Sequence, residues 1–200
     1  VGRSHPVWDV AQNKDKELRM ITPDDILDFW YKPPMSEHWF ASTPVIDADI
    51  RERFGALWEQ AAAGEWDAWQ ATPNGCLALC IVLDQFPLNM FRGEVRSFST
   101  EQQAVVASKQ AVQREFDTLL PLDRRSFLYM PLMHSEHLAD QDESVRLFEA
   151  AGLEANARFA RHHRDIVRRF GRFPHRNAVL GRESTAEELA YLASKEAFTG

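Results

Sequence analysis

Residues 170 to 182 read FGRFPHRNAVLGR and set Arg172, His175, Arg176, Asn177 and Arg182 among Phe, Pro and Gly. Guanidinium groups are planar donors matched to the paired oxygens of carboxylate or phosphate, and an asparagine amide both donates and accepts. Such a loop suits a small anion. A second stretch, LDQFPLNMFRG at 83 to 93, echoes it. Aligning Phe86 and Pro87 with Phe173 and Pro174 brings Asn89 near Asn177 and Arg92 near Arg182. Asp84 and Gln85 end an apolar run, where an ionised group is costly unless paired. The simplest pairing is a salt bridge from Asp84 to an arginine, joining the two loops. The alternative is that both stretches are one repeated turn design that ends helices.

The histidines offer the proton chemistry. His163 recurs with Phe159, Ile166 and Phe170 at i, i+4, i+7 and i+11, which places it on the buried stripe of a helix. A buried imidazole needs hydrogen-bond partners and can titrate near neutrality at a polar cavity. A satisfied core histidine competes with that reading. In MPLMHSEHLADQ, His134 shares a stripe with Phe127, Met130 and Leu138, while Glu136 and Asp140 lie on a neighbouring face. His134 and His137 have an i, i+3 spacing that could hold a metal with a carboxylate from elsewhere. Hydrogen bonding of His134 and Glu136 to the arginine loop is preferred here, and no metal or cofactor is expected. Ser135 adjoins His134, but neighbours on a helix point ~100° apart, so His134 is a poor base toward it.

These side chains need helices to carry them. Thr22 followed by PDDILDFWY is a capping hydroxyl, a proline at the first helical position and acids over the positive dipole end. Pro33 and Pro34 end that helix. The next begins near Pro44 or Asp47, buries Ile50, Phe54, Leu57, Trp58 and Ala61, and stops at Gly64. CLALCIVLDQF is apolar all round, which predicts a central helix that Pro87 breaks. A long helix follows from FSTEQQAVVASKQAVQREFDTLL, with Thr100 and Gln103 at capping-box spacing. Another starts near Asp123, tolerates Pro131 and carries MPLMHSEHLADQ. ESVRLFEAAG ends at Gly152, LEANARFARHHRDIVRRF ends at Gly171, and Ser184 with Glu187 caps a last helix, TAEELAYLASKEAF.

The expected fold is all α: about eight helices in antiparallel pairs, forming a right-handed stack like tetratricopeptide arrays, although no 34-residue repeat is visible. Residues 1 to 19 are polar and aperiodic and read as an extension, with residues 20 to 200 as one helical domain. All six tryptophans lie in the first 69 residues, as anchors for the N-terminal helices.

Composition narrows the function classes. A formal charge of −7 argues against nucleic acid and acidic membranes as partners. The distribution is uneven. Residues 156 to 182 carry eight arginines against Asp165, so +7 sits there and −14 elsewhere. Either salt bridges neutralise this segment internally or it serves a local anion site. No window reaches the ~18 apolar residues of a membrane span, and no secretory signal is visible. Cys76 and Cys80, the two cysteines, share a helix face and read as small buried hydrophobes in a reducing compartment. A soluble, cytoplasmic protein is expected. Phosphate-loop, dinucleotide, HExxH and GxSxG motifs do not occur.

In order and spacing, DQFPLNMFRG, FLYMPLMHSE with Gln141 following, and HRDIVRRFGRFPHRNAVLGR resemble the bacterial family known as domain of unknown function 924. The resemblance covers about residues 20 to 195. It implies an all-helical, tetratricopeptide-like fold. The family pattern marks Asp84, Gln85, Phe86, Pro87, Asn89 and Arg92, then His134, Ser135, Glu136 and Gln141. In the third motif it marks His163, Arg169, Gly171, Arg172, Phe173, Pro174, Arg176, Asn177, Gly181 and Arg182. Leu88 stands where arginine is usual, and His137 where an acid is usual.

Three functional readings follow. The first is a binding module whose cationic pocket takes a small anionic molecule or a peptide carboxylate through Asp84, Gln85, Asn89, Arg92, Gln141, Arg169, Arg172, His175, Arg176, Asn177 and Arg182. The second is a hydrolase of esters or phosphoesters. There His163 or His134 acts as general base, Glu136 as its partner or as the acid, and Arg172 and Arg176 stabilise negative charge. The third makes the motifs structural. Self-association as a homodimer is compatible with a helical stack, but no exposed apolar stripe requires it.

Overall fold

The computed structural model describes residues 20 to 198, and the expectation for residues 1 to 19 lies outside them. Among the described residues all regular structure is helical. The helices are α1 (Pro23–Tyr31), α2 (Pro44–Ala62), α3 (Pro73–Cys80), α4 (Phe86–Met90), α5 (Glu101–Gln113), α6 (Leu122–His134), α7 (Leu138–Ala150), α8 (Glu154–Phe170) and α9 (Ala186–Leu192). A π-helical turn, Ile81–Gln85, joins α3 to α4 in one continuous rod. Counted so, the described residues form eight helices.

The first helix starts as its sequence dictates. Thr22 accepts from the Asp25 amide while the Asp25 carboxylate accepts from the Thr22 amide, with Pro23 at the first position. The rod of α3, π turn and α4 is the centre of the core, since Cys76 to Phe86 are all buried. It packs against α1, α2, α5 and α6, while α7 lies between α6 and α8. In α2, all five residues of the expected stripe are buried. A second, smaller cluster of Ile166, Val167, Phe173 and Tyr191, with Phe170 and Phe198 beside it, forms at the C-terminal end.

Several expectations are corrected. Pro87 does not break the central helix. It lacks an amide for the Leu83 carbonyl four residues back, but the Thr100 hydroxyl donates to that carbonyl at 2.5 Å. Thr100 is thereby diverted from a capping box, and it also accepts from the Trp58 indole at 3.1 Å. Gln103 turns instead to the Ala62 carbonyl. Helix α5 ends at Gln113, before Glu115 in a left-handed conformation (φ 57°).

The segment MPLMHSEHLADQ is two helices, not one. Side chains take the carbonyls at the end of α6: Gln141 donates to Met133 and Ser135 at 2.6 and 2.7 Å, and Arg176 to His134 at 2.8 Å. Terminal carbonyls satisfied this way let a helix stop in a buried place. His137 lies past the break, so the helical His134 and His137 pair does not exist. The last cap falls one residue later than expected, on Thr185 with Glu188, and α9 is shorter than the run predicted. On α8, His163 and Ile166 are buried, whereas Phe159 is 52% exposed.

Candidate active site

The π turn carries Asp84 and Gln85. In it the Phe86 amide reaches back five residues to the Ile81 carbonyl, so the turn holds one residue more than an α-helix would. Such turns recur where side chains must be re-aimed. Asp84 is buried, and its two oxygens lie 2.9 and 3.0 Å from His134 Nδ1. Gln85 Nε2 donates to Asp84 Oδ2 at 2.6 Å and also lies against the Met130 sulfur. The expected Asp84-to-arginine bridge is therefore replaced by a carboxylate–imidazole pair. The loop arginines cannot supply that bridge because each is engaged by a glutamate.

A carboxylate facing Nδ1 selects the tautomer with its proton there, leaving the Nε2 lone pair available. The His134 side chain is 18% exposed while that of Asp84 is 3% exposed. The orienting acid is thus sealed and the imidazole reaches the surface.

Arg176 holds the end of α6 from the other side. Its Nη1 donates to Glu101 Oε2 at 2.7 Å and its Nη2 to the His134 carbonyl. Its guanidinium lies over the Phe98 and Phe173 rings at 4.6 and 4.7 Å. Its Nε is buried with no hydrogen-bond partner among the described residues. Burial raises the Glu101 carboxyl above its ordinary range and outweighs the lowering effect of Arg176. His134 and Asp84 also act on Glu101 electrostatically. No spacing in the sequence marked Glu101 or Phe98. Each is fixed by the fold, Glu101 as the first residue of α5.

Glu136 is gripped from both sides. Arg182 donates to its two oxygens at 2.7 and 2.9 Å, and the Phe173 amide donates at 2.7 Å. Burial would raise this carboxyl, but these hydrogen bonds prevail and hold it below the usual range. Held ionised, Glu136 is unsuited to be the proton donor. Arg172 donates to both Glu188 oxygens at 2.6 and 2.8 Å, depressing that carboxyl to about 2. Asn177 is buried beside them, donating to Ser184 and Glu188.

His163 and His175 flank Phe173 and the Phe198 ring. His163 Nδ1 donates to the Phe159 carbonyl at 2.8 Å, yet burial drives its pKa down to about 3. Burial, then the charge of Arg176, lowers His175 to about 4. Burial thus favours the neutral form of His163, against titration near neutrality.

Other expected ligand residues do not join this group. Gln141 is spent on α6 carbonyls. Arg92 pairs with Asp47 and Asn89, and Arg169 with Glu187, both arginines being largely exposed. The basic segment is neutralised internally: Arg161 meets Glu149 and Glu154, and Arg164 and Arg168 meet Asp142 and Asp165. No three His, Cys, Asp or Glu side chains converge on a metal position among the described residues. No helix there is long and apolar enough to cross a membrane. A surface groove of about 420 Å³ lies between the starts of α1 and α3, lined by Pro23, Asp24, Thr72, Pro73, Asn74 and Leu119. None of the Asp84–His134 group lines it.

Against known proteins, the chain matches the family model described as bacterial protein of unknown function (DUF924) over residues 26–196. It is similar to the solved structure of the protein of unknown function ATU0120 from Agrobacterium tumefaciens, with 40% identity and a TM-score of 0.81. That match covers 86% of this chain and 96% of the other. No curated protein matches. The three motifs that build the buried polar group all fall inside the matched span, and the chain belongs to the DUF924 family.

Proposed function

We propose that this protein is a hydrolase of esters or phosphoesters in which His134 is the general base. The observation that carries the reading is the buried Asp84 carboxylate on His134 Nδ1. His134 Nε2 takes a proton from water as the water oxygen bonds to the carbonyl carbon or phosphorus. The leaving oxygen takes its proton from Glu101, whose raised carboxyl supplies the acid that Glu136, clamped by Arg182, does not. Arg176 offsets negative charge that develops beside them. This pairing of one depressed and one raised carboxyl is how two acids acquire separate roles in one site.

The test is turnover of p-nitrophenyl acetate and p-nitrophenyl phosphate by the wild type and by His134→Gln, with thermal unfolding run on both. Turnover that His134→Gln abolishes, at unchanged unfolding temperature, is expected. Equal rates in the two proteins, or none in either, would remove the hydrolase reading.

A second reading, a binding module for a small anion or peptide carboxylate, is favoured by one observation. The spare donors in the loop, Nε of Arg176 and of Arg182, are buried and unpartnered among the described residues.

A further inference from the structure

We infer that Glu101 is a built-in competitor, its carboxylate occupying the seat on Arg176 that a substrate oxyanion takes in the working site. The inference rests on the hydrolase reading for its catalytic consequence, though not for its binding consequence.

Three features of Arg176 point to an exchangeable anion. First, its guanidinium is fixed before any ligand arrives. It lies over the Phe98 and Phe173 rings, its side chain is only 6% exposed, and Nη2 is tied to the His134 carbonyl. A cation so pre-organised loses little freedom on binding. Second, its anion is incomplete. Glu101 offers one oxygen to one nitrogen, and Nε, like that of Arg182, is a buried donor without a partner among the described residues. Arg182 and Arg172, by contrast, each meet both oxygens of their glutamates. Arg176 is thus the buried loop arginine whose carboxylate is held singly. Third, Glu101 can leave. Its side chain is 22% exposed at the first position of α5 and held by Arg176 through one hydrogen bond, so a rotation frees it. Glu136 is no less exposed, at 25%, but is locked by three hydrogen bonds.

A carboxylate or phosphate oxygen arriving at Arg176 would bring its attached ester within reach of the Asp84–His134 pair, because Arg176 binds the His134 backbone directly. The displaced Glu101 stays at the start of α5 beside that seat, so the residue that yields to the anion is also the one that meets the leaving oxygen.

The experiment is calorimetric titration of the full chain with inorganic phosphate and, separately, with acetate. The proteins are the wild type, Glu101→Gln, Arg176→Lys and the double variant. Glu101→Gln keeps the shape and removes the competing charge, so phosphate binding tightens at least tenfold, and Arg176→Lys in that background cancels the gain. Acetate tightening in parallel marks the seat as one for any oxyanion, and phosphate tightening alone marks it as specific for phosphate. Phosphate affinity of Glu101→Gln within twofold of wild type, or a gain that survives Arg176→Lys, overturns the inference. These binding readouts are independent of turnover. Tighter phosphate binding without any hydrolysis keeps the seat and removes the hydrolase, while His134-dependent hydrolysis with unchanged binding does the reverse.

Discussion

Asp84 and His134, fifty residues apart in the chain, meet with both carboxylate oxygens 2.9 to 3.0 Å from Nδ1. Gln85 steadies the same carboxylate, so the acid has one orientation and the imidazole one favoured tautomer. In ¹⁵N spectra of the wild type, His134 should show a protonated Nδ1 and an unprotonated Nε2 whenever the ring is neutral. Asp84→Asn presents an amide instead and should shift the population toward the other tautomer. Turnover should then fall by up to about 10⁴-fold, as it does when the acid of a catalytic triad becomes an amide. An unchanged tautomer in Asp84→Asn would show that the carboxylate does not orient the ring.

The motifs that matter were legible in the sequence, but their pairing was not. The buried stripe of α2 and the start of α1 follow from periodicity and capping, which are local. Asp84 is recognisable as a buried acid needing a partner, yet the sequence points to arginine because charge is visible in it and proximity is not. The stop of α6 was hidden for the same reason. Gln141 and Arg176 donate to its last carbonyls from 6 to 42 residues away, and helical periodicity through MPLMHSEHLADQ carries no trace of them. Glu101 enters the site solely because α5 begins beside the end of α6.

Thr100 and Pro87 form a second distant pair, through the Leu83 carbonyl. Thr100→Val removes the donor to that carbonyl and the acceptor for the Trp58 indole, leaving two buried polar groups unpaired. A loss of about 2 to 4 kcal/mol is expected from urea unfolding. Pro87→Ala restores an amide that can reach Leu83, so the double variant should be less damaged than the two single losses sum to. Strict additivity would mean that the hydroxyl does not substitute for the missing amide.

Glu136→Ala leaves Arg182 and the Phe173 amide without their shared acceptor. The expected cost is about 2 to 4 kcal/mol, chiefly from the stranded guanidinium. Glu136→Gln keeps one acceptor oxygen and should cost less. The damage should be local, with exchange of backbone amides rising first around residues 173 to 182. Uniform loss of protection across α1 to α5 would contradict this, because the C-terminal residues form their own apolar cluster.

Acid should weaken the fold well above the pH at which carboxylates protonate. His163 and His175 titrate at about 3 and about 4 in the folded chain, against an ordinary 6.5. The unfolded chain therefore binds more protons between these values, and stability rises with pH across the interval. It is fully present above about 6.5 and is lost as pH falls toward 4 and then 3. Each imidazole contributes a slope of up to ~1.4 kcal/mol per pH unit inside its window. The groups facing them are His134, His162, Arg176, Arg182, Glu136 and the Phe173 and Phe198 rings. Glu188, depressed to about 2 by Arg172, adds its own loss only below its ordinary 4.5. The range from 6.5 to 4.5 thus excludes the depressed carboxyls, while Glu101, raised by burial, acts there in the opposite sense in both proteins. Urea midpoints measured there should fall with acidification in the wild type and fall less in His163→Leu, which cannot take up a proton on unfolding. Parallel curves for the two proteins would mean that His163 is not held neutral by burial.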